Sequence, residues 1–330
     1  MELGSKAISA TGKWGLGLLL LLWPVLTNWV FPGVTYYDYM VSLVMIYVCI
    51  AIGLCILVGY TGLVSLGQAG FVAVGAYTAG MLTTKLQFDL IPALLIAAVL
   101  CGMIGFLLGL AAVRLKSTYL ILVTIGFGFS IPHLLTIWKG FTGGHDGMVI
   151  DSATVFGWAV SGPKQYFYVV LAVTLFLIWL AKNITKSKAG RAFQAVRDSE
   201  IAAQAMGINV FITRAVSFSI SAVYAGIAGG LYAHHLGYIS PGDYDILVSL
   251  NYLIMVIVGG ARSIAGAAIG AFFFVLIMDV FARAPAGLMA VFIGATIVIT
   301  MLVLPRGLVS LPSVLRSFWY RRKGGSHGAP

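Results

Sequence analysis

Charge is what this chain has least of. Only 9% of its 330 residues are Asp, Glu, Lys or Arg, 60% are hydrophobic, and mean hydropathy is +1.01. An ordinary soluble domain carries roughly 25% charged residues, so a soluble globular fold is excluded. The ten-residue alternation of a transmembrane β-barrel is absent as well. Acidic and histidine residues within the apolar runs come down to Asp279 and His133. Proton-driven carriers depend on such groups, so their scarcity speaks against an ion-coupled secondary transporter. Asp279 and Arg283, one helical turn apart, suit a structural ion pair better than a proton relay. No clustered catalytic set occurs, which argues against a membrane enzyme. The cysteines, Cys49, Cys55 and Cys101, all lie in apolar runs, where a thiol behaves as a small hydrophobe. They say nothing about the redox compartment.

What is present is a series of long apolar runs. A bilayer core of about 30 Å takes some 20 helical residues, and backbone groups in lipid must be satisfied within the segment. The runs predict an all-α integral membrane protein with about ten transmembrane helices, at 14–30, 39–58, 69–84, 91–113, 117–138, 165–181, 211–232, 246–260, 266–282 and 287–304. With the N-terminus inside, 16 of the 20 basic residues fall on the inner side, leaving Lys85, Lys139, Lys164 and Arg283 outside. That asymmetry follows the positive-inside rule and puts both termini and the 182–210 segment in the cytoplasm. It also accounts for the net charge of +10 without nucleic acid as a partner. The first run reads as a retained anchor, because no small-residue cleavage pattern follows it. Residues 1–310 read as one membrane domain with an external loop at 139–164, and 311–330 as a basic, then Gly-rich, cytoplasmic tail.

The polar exception is "RAFQAVRDSEIAAQAMGIN", residues 191–209. Phe193 and Val196 give one apolar stripe on a short helical turn. Asp198 or Ser199 can cap a second helix, with Glu200 beside its positive end. Gly207 stands where a left-handed residue would stop it. A helix of seven or eight residues is unstable alone in water, so it must pack on something. Its small residues Ala202, Ala203 and Ala205 allow close approach, and Ile201 and Met206 are adaptable apolar contacts. Physics leaves two readings level: a helix lying on its own membrane surface, or a plug for a groove in a separate cytoplasmic protein.

The island resembles the coupling loop of ATP-binding-cassette importer permeases, whose pattern is Glu-Ala-Ala, three residues, then Gly. Ala202, Ala203 and Gly207 keep it; Ile201 replaces the acid, which stands one place earlier as Glu200. Together with "GYTGLVSLGQAGFVAVGAYTAG" at 59–80, the phrase resembles the branched-chain amino-acid permease family, LivM-type, over roughly residues 40–310. The resemblance implies a transport subunit that pairs with two ATPase subunits, a homologous permease subunit in a heterodimer, and an external solute-binding protein docking near 139–164. It implies a bacterial cytoplasmic (inner) membrane and branched-chain or other small amino acids as cargo, with urea, short amides or small carboxylates as family alternatives. ATPase coupling would fall to Arg197, Asp198, Ser199, Glu200, Ala202, Ala203, Met206 and Gly207.

The glycine-rich phrase nearly matches a phosphate-binding loop, but Gln68 and Ala69 stand where Lys and Ser/Thr are required. The chain therefore needs no cofactor of its own, and ATP and Mg belong to the partner subunits. Gly59, Gly62, Gly67 and Gly70 suggest instead a broken or re-entrant helix, tolerated only where protein or a water-filled cavity covers it. Tyr60, Thr61, Gly62, Ser65, Gly67 and Gln68 are then candidates for the translocation path, unless the glycines only serve close packing and the hydroxyls their local backbone. A second glycine cluster, "VGGARSIAGAAIGAF" at 258–272, follows Asn251, a further path candidate. Its echo of the first is weakly spaced and points to an inverted repeat. His234 and His235 read as a polar outer rim, since adjacent helical histidines diverge and make a poor metal site.

Overall fold

The computed structural model describes residues 36–281, apart from 114–116, 156 and 161, together with residues 23, 291, 294, 295 and 307–310. The expected spans at 14–30 and 287–304 and the tail at 311–330 lie essentially outside the described residues, as does Arg283. Six described helices are long and apolar enough to cross a membrane. They are α1 (Tyr36–Leu54, continued to Tyr60 by a π-turn), α3 (Leu90–Val113), α4 (Ser117–Ile137), α6 (Pro163–Lys186), α9 (Val210–Leu236) and α11 (Ile264–Phe281). Two shorter apolar helices stand among them, α2 (Gln68–Thr84) and α10 (Ile246–Gly259). Small helices α5 (Lys139–Thr142), α7 (Lys188–Asp198) and α8 (Glu200–Ala205) occupy the connections. Among the described residues the all-α expectation is exceeded only by two-residue strands: β1 (Met148–Val149) pairs with β4 (Tyr238–Ile239), and β2 (Thr154–Val155) with β3 (Trp158–Ala159).

The helices alternate in direction, and the connections fall at two ends. At one end Lys85 Nζ donates to the carbonyls of Gly140 and Phe141 at 3.0 and 2.8 Å, Thr83 bonds His234 at 2.9 Å, and Tyr36 bonds Asp279. Asp279, expected to pair with Arg283, thus has an aromatic hydroxyl from α1 as a partner. At the other end α7 and α8 meet the close of α1 and the start of α9. Here lie Lys182, Lys186, Lys188, Arg191, Arg197, Arg214 and Arg262, whereas Asp38, Asp89, Asp146, Asp151, Asp243 and Asp245 gather at the first. We call these the basic and acidic ends.

Helix α9 is the centre of the bundle, packed against α1, α2 and α3. Its small residues permit that: a Cβ on Gly75 of α2 would lie 2.2 Å from the Gly226 carbonyl oxygen of α9, so the two backbones touch. Such small-residue contacts supply van der Waals packing where lipid gives helices no hydrophobic drive to associate. Aromatic hydroxyls tie α9 to α6, with Tyr224 donating to the Leu177 carbonyl at 2.8 Å and Tyr166 to that of Leu231 at 2.5 Å. His133 bonds the Phe129 carbonyl at 3.1 Å and stacks on its ring, a local structural role. The sequence spans agree with the helices at most ends, except that α1 begins at Tyr36 and not 39, α6 runs on to Lys186 where the apolar run stops at 181, and α9 runs on to Leu236 where it stops at 232.

The Gly75 contact sets a test of packing. Gly75→Val should lower the midpoint of thermal unfolding in detergent markedly, because overpacking costs about 1–3 kcal/mol or more. Gly126→Ala, where an added Cβ meets nothing within 4 Å, should not lower it, since alanine is the better helix former.

Candidate functional site

Helix α2 is too short for a full span: 17 residues reach about 26 Å at 1.5 Å each. It begins level with the middle of α4, where Gly67 faces Thr124 and Phe127. The missing part of the span is the segment 62–67, reached through a π-turn over Cys55–Tyr60. Gly62, with φ +73°, makes the turn from helix into this segment, a conformation that a residue with a Cβ adopts at a cost. Sequence reading foresaw a broken or re-entrant stretch. The structure places it as the basic-end part of a span whose acidic-end part is α2.

A break inside a membrane leaves backbone donors and acceptors without helical partners. Here hydroxyls from three places supply the donors' needs. Ser65 Oγ accepts from Gly67 N at 3.3 Å, Thr124 Oγ1 of α4 accepts from Leu66 N at 3.1 Å, and Ser249 Oγ of α10 accepts from Ala69 N at 2.9 Å. On the acceptor side, Thr61 Oγ1 donates to the Leu57 carbonyl, and Leu63 N does so at 3.3 Å. Gln68 exchanges bonds of 3.4 and 3.5 Å with Ser221 of α9. Ser65, Gln68, Ser221 and Ser249 are wholly buried.

The path candidates therefore separate. Thr61, Ser65, Gly67 and Gln68 lie together in the interior, bonded to backbone or to Ser221. Tyr60 is half-buried and Gly62 exposed at the basic end. Asn251, half-buried, is two residues beyond Ser249 and so about 200° round the helix from it. Thr124, Ser221 and Ser249 were not singled out by sequence. Their only signal is a hydroxyl in an apolar helix, and their partners are 58 to 180 residues away.

The polar island folds as two short helices. Ser187 caps α7 through Gly190 N at 3.4 Å, and Phe193 and Val196 bury the expected stripe. Ser199, rather than Asp198, caps α8 by accepting from Ala202 N at 3.3 Å. The helix proper is six residues, Glu200–Ala205. Gly207 at φ +78° ends it, with Gly207 N on the Gln204 carbonyl at 2.9 Å and Ile208 N on that of Ala203 at 3.0 Å. This double bond pattern is a Schellman stop, and Ile208 packs on Ala203 as the motif favours. Val196, Ala203 and Val210 form a core of their own, apart from the main one.

That core decides which island residues face outward. Ala203, expected on a docking face, is buried against its own chain. Glu200 pairs with Arg214 at the foot of α9, and Arg197 donates to the Gly59 carbonyl, so both turn toward the membrane part. Asp198, Ser199, Ala202, Met206 and Gly207 remain exposed. Ile201 and Met206 are 84% and 83% exposed, the most exposed large hydrophobics among the described residues.

A bundle of apolar helices alternating between a basic and an acidic end, with an interrupted span at its centre, is a multi-pass membrane protein. The family described as branched-chain amino acid transport system / permease component matches residues 36–301, and the chain belongs to it. Over 246 residues it is 32% identical to the high-affinity branched-chain amino acid transport system permease protein LivM of Escherichia coli K12, covering 67% of this chain and 58% of LivM. The chain thus spans somewhat over half the length of that relative. It is 27% identical over 297 residues to LivH of the same strain, covering 83% of this chain and 94% of LivH. The autoinducer 2 import system permease protein LsrC of Escherichia coli O157:H7 is 27% identical over 265 residues, 76% of this chain and 75% of LsrC. No solved structure matches.

The hydroxyl caps can be tested one at a time. Ser249→Ala leaves the Ala69 amide buried without its acceptor, which costs about 1–3 kcal/mol. Hydrogen exchange at residues 66–70 should accelerate at least tenfold, while residues 228–231 of α9 exchange as before.

Proposed function

We propose that this chain is a permease subunit of an ATP-driven importer, and that α8 is the element on which the motor acts. The observation that carries this reading is a capped six-residue helix holding Ile201 and Met206 out into water. Two large apolar side chains exposed on one short capped helix suit burial in a groove of a partner protein. A helix this short is stable only as part of such an assembly or on its own small core, and Val196, Ala203 and Val210 supply that core. The docking face then consists of Asp198, Ser199, Ile201, Ala202, Met206 and Gly207, with Glu200 and Ala203 supporting it from behind, while Arg197 turns away from it to the Gly59 carbonyl.

The partners follow from the family. Two ATPase subunits carry ATP and Mg, a homologous permease subunit completes a heterodimer, and an external solute-binding protein delivers the cargo to the acidic end. The basic end faces the cytoplasm by the positive-inside rule, in a cytoplasmic (inner) membrane, with ten spans and both termini on that side. Branched-chain amino acids are the cargo that the names of LivM and LivH carry. The solute route runs beside the break, where the two short helices α2 and α10 meet through Ser249 and Ala69. Paired, short, glycine-bordered helices are the usual setting of transporter sites, and the hydroxyls and amide of Thr61, Ser65, Gln68 and Asn251 become available to a zwitterion when that packing opens. The glycine clusters bordering α2 and α10 are the remnant of an inverted repeat in this reading.

Two measurements test it. Ile201→Asp and Met206→Asp should abolish co-purification of the ATPase subunits with no loss of membrane-inserted protein, since neither side chain packs in the fold; retention of the ATPases would remove the docking reading. Proteoliposomes holding the assembled importer should take up leucine only with internal or external ATP on the ATPase side, and uptake under an ion gradient alone would identify a secondary carrier instead.

A further inference from the structure

Two side-chain bonds tie the coupling loop to the membrane part, and they hold different things. Glu200 pairs with Arg214 in α9, a continuous helix. Arg197 reaches the interrupted span instead. Its Nη1 donates to the Gly59 carbonyl within the π-turn, and its stem lies over Gly62, where an added Cβ would stand 3.1 Å from Arg197 Cγ and 3.8 Å from its Cβ. The carbonyl of Gly59 is one that the break would otherwise leave without a partner. Its other side is pinned too: a Cβ on Gly59 would collide with the Ala261 carbonyl oxygen, and Cys55 Sγ donates to that oxygen at 3.1 Å. The close of α1 is thus gripped between Arg197 and the α10–α11 connection.

We infer that Arg197 is the strut through which movement of α7 and α8 reaches the break at 59–67. It is a positioning residue acting on backbone, and not a contact for the ATPase. The inference rests on the coupling role proposed for α8. A guanidinium seated on a backbone carbonyl, with its stem packed along the turn, transmits displacement more stiffly than an exposed ion pair. Moving α7 carries Gly59 and Gly62 together. The extended segment that starts at Gly62 has no internal helical bonds to absorb the shift, so it is delivered to Ser65 and Gly67, against the hydroxyls that cap α2. A continuous helix in that place would move as a rod and leave those caps in place.

The test uses the assembled importer in proteoliposomes with leucine as the probe. Arg197→Ala should keep ATPase co-purification and ATP hydrolysis within twofold while leucine uptake falls at least tenfold. Arg197→Lys, which still offers a donor, should recover part of the uptake. In the double variant Arg197→Cys with Gly62→Cys, the 3.8 Å separation matches the mean Cβ distance of a disulfide, about 3.8 Å. Oxidation should restore at least half of the uptake and dithiothreitol should remove it again. Uptake within twofold in Arg197→Ala, a cross-link that does not form, or one that forms without restoring uptake would each overturn the strut. Loss of the ATPases from membrane-inserted Arg197→Ala would also overturn it, by placing Arg197 on the docking face. The docking role itself fails separately, if the Ile201 and Met206 variants keep the ATPases.

Discussion

A peptide group inside a bilayer has no water to turn to, and that constraint shapes the centre of this protein. Every donor and acceptor released where a helix stops must find a partner in the chain itself. The break between α1 and α2 meets the demand with Ser65, Thr124 and Ser249 on the donor side, and with Thr61 and Arg197 on the acceptor side. Those partners come from α4, α10, α7 and the broken segment. The interruption is therefore a meeting point of four parts of the fold, and none of them can shift without exposing a backbone group.

A second constraint, the instability of short helices, shapes the basic-end loop. Its two helices are too short to hold themselves, so Ser187 and Ser199 cap them, Gly207 closes the second, and a small apolar core joins them. The result is a compact body with two inward ties, Glu200 to α9 and Arg197 to the break. Two large apolar side chains, Ile201 and Met206, are left exposed. A loop that only linked α6 to α9 would need neither the caps nor the inward arginine.

Much of this was legible in the sequence, and for definite reasons. The apolar runs give α2, α3, α4 and α10 to within a residue or two, since composition alone decides where a span begins in lipid. Helix α6 outruns its apolar stretch because Lys182 and Lys186 end an apolar run without ending a helix, lysine being a good helix former. Local chemistry also reads well: the Ser199 cap and the Gly207 stop each depend on residues within four positions. Partners far apart in sequence are what stays hidden. Nothing near Thr124 or Ser249 shows that each caps a segment 58 or 180 residues away. Ala203 and Arg197 looked like docking residues because a pattern of small and charged residues does not say which face is inward; Val196 and Val210 bury the first, and the Gly59 carbonyl claims the second.

What joins these parts is the claim that the loop and the break move as one. Hydrogen exchange on the proposed importer assembly, with and without a non-hydrolysable ATP analogue, reads both segments in one experiment. The account predicts that residues 59–67 and 196–208 change protection together when nucleotide binds, while 228–231 in the middle of α9 stay as they were. A change confined to 196–208, with 59–67 unaltered, would contradict it.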